Sequence, residues 1–285
     1  MPDPSVRPLQ ATDIDAVHDV SVVAFRELAR GFSERPDPAG PIALSRIRIG
    51  HLLARDPAGA WVAEQDGEVV GCSLAVMREG VWGLSLLVVR PEVQSGGLGR
   101  ELLARARAYG DGARGWIVLA SRDPRALRSY ARLGLDFHPA VAARGRPRGA
   151  AMPPEVRRGD AADLPLTVEV DRAVRGAAHG DDIVALLYGG GDLLVHPGRG
   201  YAVVREGVVR LLAAFDEGAA AALLRGCLAA AGTRHAVVEW ITSAQNWAVA
   251  PCLEAGLELR FDVGAVFLAG DVGPLAPYLP SGAYL

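Results

Sequence analysis

The chain of 285 residues contains no lysine: its 30 basic residues are all arginine, set against 33 acidic ones for a net charge of −3. No basic stripe runs along it, which argues against nucleic acid as a partner. Cysteine is scarce. Cys72, Cys227 and Cys252 are scattered without zinc spacing or a disulfide framework, so a reducing, cytoplasmic setting is expected. The six histidines show no ligand spacing, and no metal is expected. No uncharged apolar run reaches the roughly 18 residues of a membrane span, and the opening M-P-D-P-S-V-R-P-L-Q has no apolar signal region.

What is present is a core. Half of the residues are hydrophobic, enough for one large domain or two modest ones. The most informative stretch is Leu84 to Leu103. Leu84 to Val89 has the length and branched residues of a strand, and Pro91 ends it. Gln94 to Gly99 is a glycine-rich turn. From Leu98 the apolar residues Leu98, Leu102, Leu103 and Ala106 share a helical face. Strand, glycine turn and helix together have a physical use. The first turn of a helix leaves N–H groups without partners at the positive end of its dipole. Glycine lets an anion approach the backbone, so Gln94, Ser95, Gly96, Gly97, Leu98, Gly99 and Arg100 would offer successive amides to a pyrophosphate, with the Arg100 charge beside them.

In chain order, Val6-Arg7 predicts a short strand. Thr12 or Asp13 caps a helix over 14–30, Gly31 to Pro41 reads as a loop, and a second helix covers 42–54. Asp66-Gly67 predicts a hairpin between strands 61–65 and 68–76. Trp116 to Ala120 is a further strand. Asp123-Pro124 starts a helix that ends at Gly134. Strands follow over 135–144, and Gly145 to Pro154 is a Gly/Pro/Arg linker.

Beyond the linker the sequence repeats. Val6-Arg7, Ala11 and Asp13 match Val156-Arg157, Ala161 and Asp163 at a shift of 150. Pro57, Trp61, Gly67 and Val69 match Pro197, Tyr201, Gly207 and Val209 at 140. Ser121, Ala126, Gly134 and Leu135 match Ser243, Ala248, Gly256 and Leu257 at 122. The second copy is thus shorter by 18 residues where the glycine turn would fall. Asp216-Glu217-Gly218 stands there instead, and two carboxylates would repel a pyrophosphate.

Arg100-Glu101 excludes a P-loop, which needs Lys followed by Ser or Thr, and Leu102 excludes the dinucleotide fingerprint. What remains, Val89-x-Pro91 followed by Gln94-x-x-Gly97-x-Gly99, resembles the coenzyme A loop of the GCN5-related N-acetyltransferases (GNAT). A second motif of that superfamily, N-x-x-A-x-x-x-Y-x-x-x-G-F, has its counterpart in Asp123, Ala126, Tyr130, Gly134 and Leu135. Asp replaces Asn and Leu replaces Phe. The resemblance covers residues 5–145; over 155–285 it rests on the repeat. It implies a duplicated GNAT fold: α/β, with a mixed, mostly antiparallel sheet, splayed parallel central strands and flanking helices. Residues 1–147 would form the acetyl-CoA-binding domain and 155–285 a degenerate copy lacking the pyrophosphate loop.

The resemblance further implies direct transfer of an acetyl group from acetyl-CoA to an amine of a small molecule, peptide or protein. Leu87, Val88 and Val89 would offer a free edge to which the pantetheine arm adds like a strand. The N–H near Leu87 would steady the oxyanion, and Tyr130 would protonate the leaving thiolate. Asp123 and Ala126 would flank the cofactor. No covalent intermediate is needed, in keeping with the absence of cysteine from both motifs. Many relatives carry Glu where this chain has Gly83, so the base is open between Glu27, Glu34, the carboxylate of Leu285 and a water chain, with water as the default. The first helices with Trp61, Trp82 and Phe32 would line the acceptor pocket, or these aromatics would serve the core alone. The protein would be a monomeric pseudo-dimer or a homodimer. A non-catalytic acyl-CoA-binding regulatory or scaffolding protein is the alternative, and a longer acyl donor is a third possibility.

Overall fold

The computed structural model describes residues 4–29 and 41–285, which pack as two compact units. The first comprises Met1–Met77 and Trp82–Ala113, the second Arg78–Val81 and Arg114–Leu285.

In the first unit β1 (Ser5–Pro8) leads through a 3-10 turn to α1 (Ile14–Ala29) and α2 (Ile42–Arg55). Then come β2 (Ala60–Gln65), β3 (Glu68–Arg78), β4 (Val81–Val89) and α3 (Leu98–Ala108). The strands lie in the order β1-β2-β3-β4. The predicted hairpin joins β2 to β3 through Asp66 and Gly67, whose φ values of 53° and 81° give the doubly left-handed turn that twisted strands favour. A second such turn, Glu79-Gly80 with φ of 45° and 83°, joins β3 to β4. The apolar stripe of α3 is buried as its spacing requires: Leu98 and Leu102 pack with Ala63, Val70 and Val89. Leu102 is fully buried, so its truncation to Ala would cost about 2–5 kcal/mol. Two side chains pin the helix to the sheet. Ser73 Oγ donates to the Leu102 carbonyl at 3.1 Å. Trp82 Nε1 donates to that of Ala106 at 3.0 Å, satisfying one of the carbonyls that a helix end leaves open.

The second unit contains β5 (Gly115–Ser121), α4 (Pro124–Arg132), β6 (Asp136–Gly145), β7 (Arg157–Arg158), α5 (Leu164–Val174), α6 (Asp181–Tyr188) and β8 (Asp192–His196). It continues with β9 (Gly200–Arg205), β10 (Val208–Ala214), α7 (Glu217–Ala231), β11 (Ala236–Ile241), α8 (Val249–Glu254), β12 (Glu258–Gly270) and β13 (Tyr278–Leu279). Its strand order is β5-β12-β6-β11-β10-β9-β8-β7, with β13 against β10. The pairs are antiparallel except β10 with β11. The Ala-rich stretch Ala219 to Ala231 forms most of the buried helix α7.

From β7 onward the chain repeats the element order that runs from β1 to β6: strand, 3-10 turn, two helices, three strands, helix, strand, helix, strand. One block of the sequence repeat needs correction. Tyr201 lies on β9, the middle strand of its three, and is not the counterpart of Trp61 on β2. Gly207 lies in the turn Glu206-Gly207, with φ of 52° and 84°, which joins the last two strands of the second set as Glu79-Gly80 joins β3 to β4. A left-handed X-Gly turn is a local signal, the same in every hairpin, so matching two of them slipped the register by one strand. The loss of the glycine turn stands, but as a deletion of six residues rather than 18. Eight residues, 90–97, separate β4 from α3, whereas Phe215 and Asp216 alone separate β10 from α7.

The closing strands of the two copies are exchanged. β12, the last strand of the second copy, lies between β5 and β6 of the first, and β6 pairs in turn with β11. The linker Gly145 to Pro154 consequently falls inside the second unit. The β5–β12 approach is close enough to demand glycine: a Cβ on Gly264, at φ 136°, would fall 2.0 Å from the Ala120 carbonyl oxygen. Among the described residues no helix is long and apolar enough to cross a membrane.

Candidate functional site

The glycine turn is built outward from the end of β4. Arg90 N–H donates to the Val70 carbonyl at 2.8 Å, extending the ladder by one bond. A 3-10 turn, Pro91–Val93, then reverses the chain. Gln94 closes it: its N–H reaches the Pro91 carbonyl at 3.3 Å, and its Nε2 donates back to the Val89 carbonyl at 2.8 Å. Ser95 and Gly97 both have positive φ, 71° and 94°, and Gly97 is the N-cap of α3. The Gly97 carbonyl accepts from Arg100 and Glu101 N–H at 3.0 and 3.1 Å. Among the described residues, the amides of Ser95, Gly96, Gly97, Leu98 and Gly99 donate to no protein acceptor. Ser95 and Gly96 are exposed. A methyl placed on Gly97 would stand 3.7 Å from Arg100 Nη2, so the guanidinium lies along the same turn. Successive open amides, a helix start and a guanidinium make a donor-rich, positive turn that suits a diphosphate.

Leu87, Val88 and Val89 form the end of β4. Leu87 and Val89 face the α3 cluster, and Val88 alternates to the other side. The strand therefore leads directly into the turn, and these residues are brought together with Gln94–Arg100 in one unit.

Asp123, Ala126 and Tyr130 belong to α4 and the second unit. Asp123 is the N-cap, accepting from Arg125 N–H at 2.8 Å. Its oxygens also meet Arg125 Nε at 3.0 and 3.1 Å and Nη2 at 2.6 Å, and this guanidinium holds its carboxyl below the ordinary carboxylate range. The carboxylate is thus committed to Arg125 and to the helix start. Tyr130 is buried edge-on against Phe267 at 5.6 Å. Burial, with a smaller push from Asp123, raises its phenol well above the usual value, so it holds its proton at and above neutral pH. Among the described residues its hydroxyl makes no hydrogen bond.

The expected pocket aromatics are placed otherwise. Trp82 is fully buried and bonded to α3. Trp61 packs on the α3 cluster under the Arg105 guanidinium, 5.3 Å from its ring centre, with Nε1 donating to Ala58. Trp82 is a core side chain, and Trp61 is a half-buried one packed on the α3 face. Phe32 and Glu34 lie outside the described residues. Glu27 is exposed near the end of α1.

Leu285 is 1% exposed. Its main-chain oxygen accepts from Tyr278 OH at 2.7 Å and Arg175 Nε at 3.1 Å and lies 2.7 Å from His179 Nε2. Asp171 completes this group, touching His179 Nδ1 at 2.9 Å and accepting from Tyr201 OH at 2.5 Å. Sequence reasoning reached the Leu285 carboxylate but not its partners, because they come from α5, the loop after it, β9 and the tail, at no recognisable spacing.

Residues 22–135 match the profile of the acetyltransferase (GNAT) family. A candidate acetyltransferase from Pyrococcus horikoshii superposes over 99% of this chain and 96% of its own, with a TM-score of 0.79 and 17% identity. A GCN5-related N-acetyltransferase from Sphaerobacter thermophilus covers 99% of both chains with a TM-score of 0.61 and 15% identity. A tandem GNAT protein from the clavulanic acid biosynthesis pathway covers 94% of this chain and 98% of its own, with a TM-score of 0.57 and 17% identity. At these identities the likeness shows the fold. No curated protein matches the sequence.

Proposed function

We propose that this chain, whose residues 22–135 match the profile of the acetyltransferase (GNAT) family, is an N-acetyltransferase that moves an acetyl group from acetyl-CoA directly to an amine. We take residues 1–147 as the donor-binding copy and 155–285 as the degenerate one, with the chain working in the cytoplasm. The observation that carries the proposal is the run of five open amides from Ser95 to Gly99 at the start of α3, with Arg100 beside them.

The donor, as substrate, supplies an acyl group already activated as a thioester. The residues do the rest. The amides of residues 95–99 and Arg100 hold the diphosphate, and Gln94 keeps the turn closed against β4. The amide-bearing arm adds, as a strand would, alongside Leu87, Val88 and Val89 at the end of β4. The Leu87 N–H offers a donor to the oxyanion, which is worth most where it is fixed beforehand. Tyr130 keeps its proton and is the acid for the departing thiolate. Asp123 and Ala126 start the helix that carries Tyr130 and border the donor. The base is water leading to solvent, since Gly83 supplies no carboxylate on β4.

Release of free thiol from acetyl-CoA in the presence of a panel of amines tests this directly. Amine-dependent release that saturates with donor is expected. Tight CoA binding with no release for any amine would favour the rival, a regulatory acyl-CoA binder, to which the glycine at position 83 lends some weight.

A further inference from the structure

In the second copy the places that correspond to the proposed donor site are filled by the chain itself. β10 and β11 are the counterparts of β4 and β5 in element order. Along one edge β10 pairs with β9 over its whole length, from Val208↔Arg205 to Ala214↔Gly200. Along the other it meets β11 at its start, Val208↔Val237, where Val237 N–H reaches the Gly207 carbonyl at 3.0 Å. Farther along β10 that edge belongs to β13, through Leu212↔Leu279 and Ala213↔Tyr278. Ala214 N–H adds a bond to the Pro277 carbonyl at 3.2 Å. So a segment of the tail is added to β10 as a strand, the same mode of addition proposed for the donor arm on β4.

The side chain that follows β11 makes the matching contact. Gln245 stands 122 residues after Asp123, in the register that also equates Ala126 with Ala248. Its Nε2 donates to the Leu275 carbonyl at 2.7 Å, and its Oε1 accepts from Thr242 N–H and Oγ1 at 3.1 and 2.6 Å. The third place is the helix start. Asp216 accepts from Ala219 N–H at 3.0 Å and puts a carboxylate where a phosphate would dock. Leu275, Tyr278 and Leu279 are 6%, 1% and 2% exposed, as buried as the core. The cluster of Arg175, His179 and Tyr278 around the Leu285 oxygen anchors the segment beyond.

We infer that residues 275–279 occupy the strand edge between β10 and β11 as a permanent internal ligand and close the second copy to acyl-CoA, so that one chain takes up one donor. This rests on the acyl-CoA reading of the first copy for its stoichiometry, and on the tail geometry for the closure. The alternative is a displaceable lid over a second working site.

Hydrogen-exchange mass spectrometry on the full wild-type chain, with and without saturating CoA, separates these outcomes, together with a calorimetric count of CoA bound. Amides in 275–285 should exchange at least about 100-fold more slowly than an unprotected chain. CoA should leave that rate unchanged while slowing the 90–101 segment, with one CoA bound per chain. A tail that exchanges freely, a tail that CoA accelerates, or two CoA per chain would overturn the inference. A protected, unresponsive tail beside a 90–101 segment that ignores CoA would instead defeat the acyl-CoA reading and leave the closure standing.

Discussion

Arg157 grips Asp163 with two parallel bonds, Nη1 to Oδ2 at 2.8 Å and Nη2 to Oδ1 at 2.7 Å. The pair is a copy of another 150 residues earlier in the chain. Arg7 reaches Asp13 at 2.7 and 3.0 Å through the same atoms. In both copies the aspartate also accepts from the main-chain N–H three residues before it, at 2.8 Å in one and 3.0 Å in the other. The Arg–carboxylate fork fixes each strand to the helix that follows it.

These pairs set an acid limit on stability. The arginine hydrogen bond, the largest influence in each case, holds Asp13 and Asp163 below the ordinary value of 3.8. A depressed folded value means the stabilisation is present above pH 3.8 and is lost as pH falls from there toward the folded value. Asp13→Asn should lower stability at pH 7 by about 1 kcal/mol, because Asp13 is mostly buried. Asp163→Asn, with its more exposed arginine, should cost less. In both variants denaturant midpoints measured from pH 7 to pH 2.5 should fall less steeply below pH 4 than in the parent chain.

The strand exchange predicts how the protein responds to cutting. A fragment ending at residue 147 lacks β12, which pairs with both β5 and β6. It leaves their apolar edges open, and such edges aggregate. Expressed alone, each half should be insoluble or poorly ordered by circular dichroism and NMR. Co-expression of residues 1–147 with 148–285 should restore a soluble complex. Two independently folded halves would contradict the exchange.

Tyr130→Phe should lower kcat about 10- to 1000-fold while leaving CoA affinity unchanged, because the ring packing on Phe267 survives and the proton donor is lost. Steady-state kinetics with any accepted amine, paired with a CoA titration, checks this. An unchanged kcat would remove Tyr130 from the chemistry.

Gly97→Ala tests the backbone of the turn. At φ 94° a side chain is strained by about 1–2 kcal/mol, so CoA should bind roughly tenfold more weakly or the turn should reshape. Gly99 has no such demand. A methyl there meets Val89 Cγ2 at an ordinary 3.7 Å, and Gly99→Ala should bind CoA much as the parent does.

Much of this was legible in the sequence because it is local. The apolar run of Leu84 to Val89 and the helical stripe after it placed β4 and α3, and Asp123-Pro124 placed the start of α4. The glycine turn was legible because its signal, glycines between an apolar run and a helical stripe, is local. What stayed hidden is non-local. Nothing in Leu275 to Leu279 says that it will pair with β10, and nothing in β12 says that it will cross to β5, because partner choice depends on strands far away in the chain. Trp61 and Trp82 looked like pocket residues by type. Their contacts with α3 give them packing roles, Trp82 in the core and Trp61 half-buried beside it, and residue type alone does not reveal neighbours.

The most direct test of the central claim, that a diphosphate docks on the amides of residues 95–99, is a calorimetric titration of the chain with CoA and, in parallel, with pantetheine, which lacks the diphosphate and nucleotide. Charge-assisted bonds to several amides and Arg100 should make CoA bind at least about 100-fold more tightly. Equal affinity for the two, or no binding of CoA, would contradict it.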